Sequence, residues 1–418
     1  MPVGPGEDER VTTRERAAEL DAQDPLAHLR ERYHLAEGLV YLDGNSLGAM
    51  PRTAPARLQH AVSHEWGERL IRSWNESGWY TAPSRAAALL APLLGADADE
   101  VVVADSTSVN VGKLLHIALA LRPGRSVVVM ERGSFPTDLY VARGVLALHG
   151  GALRLVDGPE DLSGALDEDV ALLAVTEVDF RTGVRWDVKA FTTAAHAVGA
   201  LALVDLCHST GALQVDVHAW DVDLAVGCGY KFLNGGPGAP AHCYVARRHH
   251  EGLPSPTPAW FGHAEPFAMS TEYAPAPGVQ RLAGGTPPVL SLTGLLCGLE
   301  SLEGATPAQL QAKSTALTAF FLELLDAHCP ELAVATPREP ARRGSHVSVR
   351  HSRAYALVQA LIAREVVGDF RDPDIARFGF APATTRFTDL VTAVEQLRAV
   401  LDVGEDTQER FAARAAVT

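Results

Sequence analysis

Short apolar segments alternate with longer amphipathic stretches through the middle of the chain. Segments this short and this uniformly apolar are typical of strands buried on both faces, and the amphipathic stretches are typical of helices that cover a sheet. The alternation therefore predicts an α/β protein with a mainly parallel sheet. The predicted strands are EVVVAD (100–105), SVVVM (126–130), ALRLV (152–156), ALLAVT (171–176), ALALVD (200–205), DLAVGC (223–228) and HCYVA (242–246).

The part of the chain before these strands lacks the alternation. Residues 1–12 are rich in proline, glycine and acidic residues and are predicted to be disordered. Helical spacing follows around 13–21 and 25–33, and again from Pro55 to about Trp74. Between these helices, LVYLDGNSLGAMP predicts a strand that runs into a glycine-rich turn.

The C-terminal part predicts a second, smaller α/β unit. It follows a proline-rich segment, 253–288, and combines helices with short strands near 331–336, 345–350 and 375–380. We expect three regions, namely an N-terminal arm that contributes to the small domain (1–50), a large domain (51–295) and a small domain (296–418).

The composition indicates a chain without a membrane or nucleic-acid role. The 418 residues are 47% hydrophobic, and no apolar run is long enough for a membrane span. The formal net charge of −15 disfavours nucleic-acid binding, which depends on clustered Lys and Arg. Five scattered cysteines and a start without an apolar stretch predict a cytoplasmic protein with reduced thiols. His60 and His64 share a helix face but have no third ligand at a telling spacing, so no metal site is predicted.

Polar residues follow three predicted strands, at the edge where open α/β sheets bind ligands. Ser106, Thr107 and Ser108 open a helix, where hydroxyls and free N–H groups suit a phosphate or serve only as a helix cap. Asp205 ends another strand and is followed by His208. A carboxylate there is partly desolvated, so it favours a cationic partner or caps the next turn.

Lys231, in VGCGYKFLNGGPGAP, follows the third of these strands and is one of only four lysines. Pyridoxal phosphate (PLP) requires a lysine for a Schiff base, an anion beside its pyridinium nitrogen and a phosphate cup, which the three strand ends together supply. Asp205 lies 26 residues before Lys231, one βαβ step across neighbouring strand ends. The other lysines, Lys113, Lys189 and Lys313, are predicted to be solvated or to extend along the surface.

Segments spread over nearly the whole chain resemble kynureninases, particularly the bacterial form. The segments are YLDGNSLG (41–48), LIRSWNESGW (70–79), DSTSVN (105–110), SFPTD (134–138), DLCHSTGA (205–212), YKFLNGGPG (230–238), WFGH (260–263) and GGTPP (284–288). The resemblance implies a fold-type-I PLP enzyme whose large domain has a seven-stranded sheet. It also implies hydrolysis of kynurenine to anthranilate and alanine in tryptophan catabolism, and a homodimer with shared active sites.

Carried over position by position, the resemblance assigns cofactor contacts. Lys231 would form the Schiff base and then act as a general base, and Asp205 would pair with the pyridinium. The other cofactor residues would be His208 beside the ring, Phe135 stacked on it with Asp138 nearby, Thr176 at a strand end, Thr107, Ser108 and Tyr230 at the phosphate, and Trp260 and Thr286 from the neighbouring subunit.

The resemblance also assigns substrate contacts. Arg377 would bind the substrate carboxylate through its planar fork. Ser46 or the nearby backbone of the GNSLG turn would donate to the oxyanion that forms when water adds to the ketone. Trp74, Trp79 and Phe135 would line the aryl pocket or pack in the core, and Tyr230 or a relayed water would supply protons in the late steps. The glycines after Lys231 would let the backbone pass close to the cofactor.

Other interpretations stay open. Kynurenine could be replaced as substrate by 3-hydroxykynurenine or a substituted analogue. GNSLG matches the nucleophile elbow of serine hydrolases, although residues 49–51 do not open a helix. A class-V aminotransferase has the same fold, and a cysteine desulfurase would need a reactive cysteine on a mobile loop, which Cys297 and Cys329 do not match. A non-catalytic binding protein would not need Asp205, Lys231 and a phosphate cup together.

Overall fold

A computed structural model of the chain describes the backbone of residues 7–414 and the side chains from residue 12 onward. Its strands are β1 (Tyr33–His34), β2 (Val40–Tyr41), β3 (Met50–Pro51), β4 (Val101–Val103), β5 (Val127–Glu131), β6 (Ala152–Val156), β7 (Val170–Thr176), β8 (Leu201–Asp205), β9 (Leu224–Gly227), β10 (His242–Val245), β11 (Ala333–Val334), β12 (His346–Arg350), β13 (Val366–Val367), β14 (Asp369–Arg371) and β15 (Ile375–Gly379).

Helices separate most of these strands. They are α1 (Glu7–Ala22), α2 (Ala54–His60), α3 (Ser73–Glu76), α4 (Ala82–Leu94), α5 (Thr107–Leu121), α6 (Pro136–His149), α7 (Leu162–Ala165), α8 (Val188–Ala197), α9 (Val289–Ser301), α10 (Pro307–His328), α11 (Ala354–Ile362) and α12 (Phe387–Val403). None of the helices in the described part of the chain is long and apolar enough to cross a membrane.

Strands β4 to β10 form one seven-stranded sheet in the order β4-β10-β9-β8-β7-β5-β6. Strands β5 to β9 are parallel, whereas β10 is antiparallel to both β9 and β4. Successive residues of β5 enter different hydrophobic cores, Val127 and Val129 on one face and Val128 and Met130 on the other. Both faces are therefore buried, which explains the uniformly apolar strands and confirms the predicted mainly parallel sheet.

The C-terminal residues form a second unit around the antiparallel sheet β11-β12-β15-β14. The N-terminal arm belongs to it, because β2 pairs with β13 and α1 packs against α12. Ala17, Val40 and Leu42 share one hydrophobic core with α10, α11 and α12. The boundaries predicted after residues 50 and 295 stay a prediction.

Two predictions about the N-terminal part are wrong. The chain is helical from Glu7, so the disorder predicted for 1–12 fails over 7–12, and residues 1–6 lie outside the described residues. The helix predicted from Pro55 to Trp74 is interrupted, because α2 ends at His60 and a π-helical stretch, Ala61–Arg69, follows. Trp66 and its apolar neighbours in this stretch are exposed on this chain.

Two of the four lysines also differ from expectation. Lys113 is buried on α5, where its Nζ donates to the Asp105 carboxylate and to the Leu282 carbonyl. Lys313 is buried on α10 and pairs with Asp24. A buried ammonium is stable only with an anionic partner. Asp24 comes from a distant part of the chain, whereas Asp105 lies two residues before the helix that carries Lys113. Lys189 is exposed as predicted.

Candidate active site

Lys231 lies in the loop after β9, at the edge where the parallel strands end. Its Nζ is 3.0 Å from Nε2 of His208 and 5.8 Å from the ring centre of Tyr230. Burial, reinforced by the Lys231 charge, holds the pKa of His208 well below its ordinary value. The imidazole is therefore neutral and can accept a hydrogen bond from the Lys231 ammonium.

The glycines around Lys231 are required by contacts within the protein. A Cβ on Gly48 would lie 2.2 Å from the Lys231 carbonyl oxygen, and one on Gly235 would lie 2.7 Å from another backbone carbonyl. Gly236 and Gly238 have φ values of 80° and 76°, which favour glycine. Contacts within the protein therefore already require several of these glycines, and their role in making space for a cofactor stays a prediction.

A pair of buried carboxyl groups lies near Lys231. Asp205 ends β8 beside Thr176 of β7, and its Oδ1 accepts a hydrogen bond of 2.7 Å from the Cys207 N–H. Asp138, in the first turn of α6, is hydrogen-bonded to Asp205. Burial and the neighbouring Asp205 raise the pKa of Asp138 to about 8, although Lys231 opposes the shift. Asp138 therefore keeps its proton at neutral pH, in contact with the Asp205 carboxyl group.

The N-terminus of α5 lies at the same edge of the sheet. Ser106 caps this helix by accepting a hydrogen bond from the Val109 N–H, so the capping interpretation holds for that residue. Thr107 and Ser108 occupy the first turn, half-buried, and Thr107 Oγ1 is 3.8 Å from Cys207 Sγ in the loop after Asp205. Their hydroxyls and the helix N-terminus can bind an anion.

An exposed aromatic ring completes this group. Phe135 directly precedes α6 and is 45% exposed, with its ring edge against Phe180 at a centroid distance of 5.2 Å. A large apolar ring exposed beside charged groups is suited to stack on a flat ligand.

These residues fit PLP. Thr176 Oγ1, His208 Nδ1 and Thr210 Oγ1 are buried without a hydrogen-bond partner, and in native proteins such atoms are satisfied by water or a ligand. Around them lie an amine, a carboxyl pair and a helix N-terminus, which are the groups that hold an aldehyde carbon, a pyridinium and a phosphate.

Arg377 lies on β15 with its guanidinium enclosed, at 1% exposure. Its Nε donates to Asp369 Oδ1 at 2.7 Å, its Nη2 donates to Ser46 Oγ at 2.8 Å, and its Nη1 donates to the Phe180 carbonyl. The structure therefore brings Ser46 and Arg377 together. Phe180 connects this cluster to Phe135 and the Lys231 edge of the sheet.

Three further residues around Arg377 and His208 were not predicted from the sequence. Asp369 is the cross-strand neighbour of Arg377, and Arg371 Nη2 lies 2.7 Å from Asp369 Oδ2. His346 is buried with its ring centre 5.7 Å from that of His208. Charged residues two positions apart, as in GDFRDP, were an available signal for Asp369 and Arg371, because alternate residues of a strand share one face.

Ser46 does not have the surroundings of a hydrolase nucleophile. Its hydroxyl contacts Asp369, Arg371 and Arg377 and no histidine among the described residues. The strand β3 follows the turn, whereas a nucleophile elbow leads directly into a helix. The serine-hydrolase interpretation is therefore not supported.

The contacts of the remaining predicted residues lie elsewhere. Trp74 packs against Trp79 and Phe261, and Trp260 packs against Phe261, with centroid distances of 5.9, 6.4 and 5.0 Å. Thr286 is exposed and lines a cleft with Phe261. Within a single chain, the contacts of these residues do not place them against Lys231.

The cysteines do not match those of a desulfurase. All five are buried, and Cys297 lies within α9 while Cys329 directly follows α10. A reactive cysteine must be accessible and mobile, so neither residue can serve.

Comparisons with known proteins agree with these features. A sequence model of the kynureninase C-terminal domain matches residues 310–397. The kynureninase of Pseudomonas fluorescens is 47% identical over 416 residues, covering 98% of this chain and all of that protein.

The solved structures that are similar are more distant in sequence. A mutant of C-DES with glycine covalently linked to its PLP cofactor has a TM-score of 0.78 at 15% identity, covering 88% of this chain and 98% of that chain. The cysteine desulfurase CsdA of Escherichia coli has a TM-score of 0.75 at 19% identity, covering 90% and 98%. At these identities the likeness concerns the fold, and the predicted fold type I is confirmed.

Proposed function

Since the chain belongs to the kynureninase family, we propose that it hydrolyses kynurenine to anthranilate and alanine with PLP as its cofactor. The observation that carries this proposal is the position of Lys231, an amine beside a neutral imidazole and a carboxyl pair at the ligand-binding edge of the sheet.

The residues around Lys231 would hold the cofactor. Bound PLP would supply an electron sink for the negative charge that develops on the substrate carbon next to the amine. Lys231 would attach the cofactor, Asp205 would face its pyridinium nitrogen, and Phe135 would cover its ring. The further contacts would come from Thr107, Ser108 and Tyr230 at the phosphate, and from Asp138, Thr176 and His208 around the ring.

Proton transfer would depend on the same amine. Once displaced by the substrate amine, Lys231 would take the proton from the substrate Cα. His208 would orient Nζ without competing for positive charge, because its imidazole is neutral. Tyr230 lies beside Nζ and would donate protons in the later steps.

Arg377 on β15 and Ser46 in the turn between β2 and β3 would bind the substrate. An enclosed guanidinium suits a carboxylate, because a partner of opposite charge is strongly favoured where water is excluded. Ser46 would be shared between this clamp and the oxyanion formed at the ketone. The substituent on the aryl ring would be decided by residues such as Trp74.

We further propose that the protein is a cytoplasmic homodimer with shared active sites. Trp260 and Thr286 are exposed on the single chain, as a residue that reaches into a partner subunit must be. Trp74 contacts Phe261 and would enter the same partner site. Val62, Trp66 and Ile71 add exposed apolar surface, which is typical of an interface.

The test replaces the lysine. Lys231→Ala should lower the release of anthranilate from kynurenine by at least about a thousandfold, because both the cofactor linkage and the base are lost. It should also remove the visible absorption of a PLP Schiff base. Lys189→Ala, which changes an exposed lysine, is the matched control and should behave as the wild type.

Binding of PLP without release of the product would contradict the proposal. Wild-type protein that binds PLP but releases neither anthranilate nor its 3-hydroxy form, from kynurenine or 3-hydroxykynurenine, is not a kynureninase in function. Comparing these two substrates also establishes which one the protein prefers.

A further inference from the structure

Five polar side chains form a charge cluster on the small-domain side of the candidate active site, namely Asp43, Ser46, Asp369, Arg371 and Arg377. Ser46 Oγ donates to Asp369 Oδ2 at 2.6 Å, and Arg371 Nη2 lies 2.7 Å from the same oxygen. Arg377 donates to both carboxylate oxygens. Asp369 therefore receives two guanidinium groups and a hydroxyl, which saturate an ionised carboxylate.

Asp43 is held in this cluster by the turn between β2 and β3. Its carbonyl accepts hydrogen bonds from the Ser46 and Leu47 N–H groups at 2.9 and 3.1 Å, and its backbone forms a bridge with Gly379 of β15. Its carboxyl group contacts both Ser46 and the carboxyl group of Asp369. Asp369 is only 2% exposed and Asp43 is partly buried, so water screens the two carboxyl groups from each other only weakly.

The two carboxyl groups ionise differently. Burial raises the pKa of Asp369, but Arg377 and Arg371 outweigh burial, and the net shift is downward. Burial and the adjacent Asp369 raise the pKa of Asp43 to about 8. At neutral pH one carboxyl is therefore ionised and the other carries a proton, because two such groups in contact cannot both ionise at low cost.

The groups that face Asp43 come from its own segment and from the neighbouring strands. Tyr41 of β2, two residues before Asp43, faces it, and the pKa of Tyr41 is raised by burial and by Asp43, so it is neutral. Arg371 and Arg377 face Asp43 from β14 and β15. His346 of β12 faces the two arginines, and burial lowers its pKa to about 3, so it is also neutral. The charges that remain belong to Arg371, Arg377 and Asp369, and they sum to one positive charge.

We propose that Asp43 is a positioning residue that acts in its protonated form: it stays neutral beside Asp369, and so leaves the charge cluster with the single positive charge that one substrate carboxylate neutralises. This inference rests on the proposed function, in which Arg377 receives that carboxylate. When Asp43 ionises, the cluster becomes neutral and its attraction for the substrate weakens. The direction follows from the chemistry, since Asp43 is protonated below about pH 8 and ionised above it.

The kinetic test measures the KM for kynurenine with the holoenzyme between about pH 7 and about pH 9.5. In the wild type, the loss of the Asp43 proton should raise KM. Asp43→Asn has nearly the same shape but cannot ionise, so the increase in its KM over this pH range should be roughly tenfold smaller than the increase in the wild type. Asp157→Asn changes an exposed carboxyl group of the large domain and should follow the wild type.

Titrations of the substrate amine and the cofactor are common to all three proteins, so the difference between Asp43→Asn and the wild type isolates Asp43. Parallel KM curves for these two proteins would overturn the proposal. A merely structural role would change stability or kcat at every pH and would leave the pH dependence of KM in place.

A second measurement does not depend on activity. The carboxyl carbons of ¹³C-aspartate-labelled holoenzyme are titrated by NMR, and one signal absent from Asp43→Asn should shift near pH 8. If that variant does not fold, Asp138→Asn removes the other aspartate whose pKa is raised to about 8 and leaves the Asp43 signal identifiable. A signal that shifts only near the ordinary value for aspartate, about 4, would overturn the proposal.

The two measurements also separate this proposal from the proposed function. A wild type that releases no anthranilate contradicts the function, while the NMR titration still decides the protonation state of Asp43.

Discussion

At the residue scale, the carboxyl pair of Asp138 and Asp205 is the feature with the clearest electrostatic consequence. The two side chains come from α6 and β8 and are buried in contact. A positively charged ring nitrogen beside them would release the shared proton, because a cation stabilises the second negative charge. The same contact is unfavourable in protein without cofactor once the pH is high enough to ionise both groups.

Asp138→Asn should therefore stabilise the cofactor-free protein at pH 8. The pKa of Asp138 is about 8 in the folded protein and about 3.8 as the ordinary value, so folding binds a proton. The stability this proton contributes is complete below about pH 4 and is lost as the pH rises towards 8. Asparagine is neutral throughout, so the variant should gain about 1–3 kcal/mol at pH 8 relative to the wild type.

Urea unfolding of the apoprotein at several pH values measures this difference. Asp157→Asn, at an exposed position, should follow the wild type. A gain that is the same at pH 4 and pH 8 would show that charge is not its cause.

At the element scale, the turn between β2 and β3 connects the charge cluster around Arg377 to the Lys231 loop. The Gly48 N–H donates to the Tyr230 carbonyl at 2.8 Å, while Ser46 of the same turn contacts Arg377. The turn therefore sets the position of the amine and of the carboxylate clamp together. The GNSLG sequence of this turn matches the pattern of a nucleophile elbow because the close packing of the turn requires its glycines.

Gly48→Ala should disturb the Lys231 loop. Its Cβ would lie 2.2 Å from the Lys231 carbonyl oxygen and 2.7 Å from the Asn234 Cα, so the backbone must move. We expect a loss of about 2–4 kcal/mol of stability and weaker PLP binding. Thermal unfolding and PLP titration monitored by absorbance measure these two effects.

Gly144→Ala is the matched control for that substitution. Gly144 lies within α6, is exposed, and has no atom within 4 Å of an added Cβ. Alanine should stabilise this helix by about 0.5–1 kcal/mol. Equal effects of the two substitutions would mean that the contact of Gly48 with the Lys231 loop is unimportant.

At the scale of the whole molecule, exposed aromatic residues are concentrated around one surface. Phe261 contacts both Trp74 and Trp260 there, while Trp66 and Phe267 are among the more exposed large apolar residues. On a single chain these side chains are exposed to water. An isologous dimer would bury them, because each subunit would cover the same surface of its partner. The proposed shared active sites make this arrangement testable.

Two variants with defects at Lys231 and Trp260 should regain activity when they are mixed. Lys231→Ala disables a site through its own chain, and Trp260→Ala should weaken the site of the partner chain. A hybrid dimer would place both defects in one site and leave the other intact. After subunit exchange of equal amounts, half of the dimers are hybrids, so about a quarter of the wild-type activity should appear.

Mixing each variant with itself under the same conditions is the control and should yield no recovery. Mixtures that remain inactive, with exchange verified by mass spectrometry, would place Trp260 in the site of its own chain. Monomers of 44.5 kDa in active solutions would contradict the dimer itself.

The sequence by itself determined the large sheet, the polar residues that end its strands, and Lys231. Each buried strand is a short apolar run, and the polar residue that ends it is its neighbour in the chain, so both are local signals. Parallel strands end at one edge, which is why Thr107, Asp205 and Lys231 could be expected to lie together before the structure was described.

Only the tertiary structure decided the charge cluster and the environments of the lysines. Ser46 and Asp369 are 323 residues apart, and Lys113 is buried through the carbonyl of Leu282. Such partners are selected by the packing of distant elements, and the ionisation of a group such as Asp43 depends on that packing because burial and neighbouring charges control it. The pattern of residues along the chain shows neither the burial of a group nor its neighbouring charges, so these features follow only from the folded molecule.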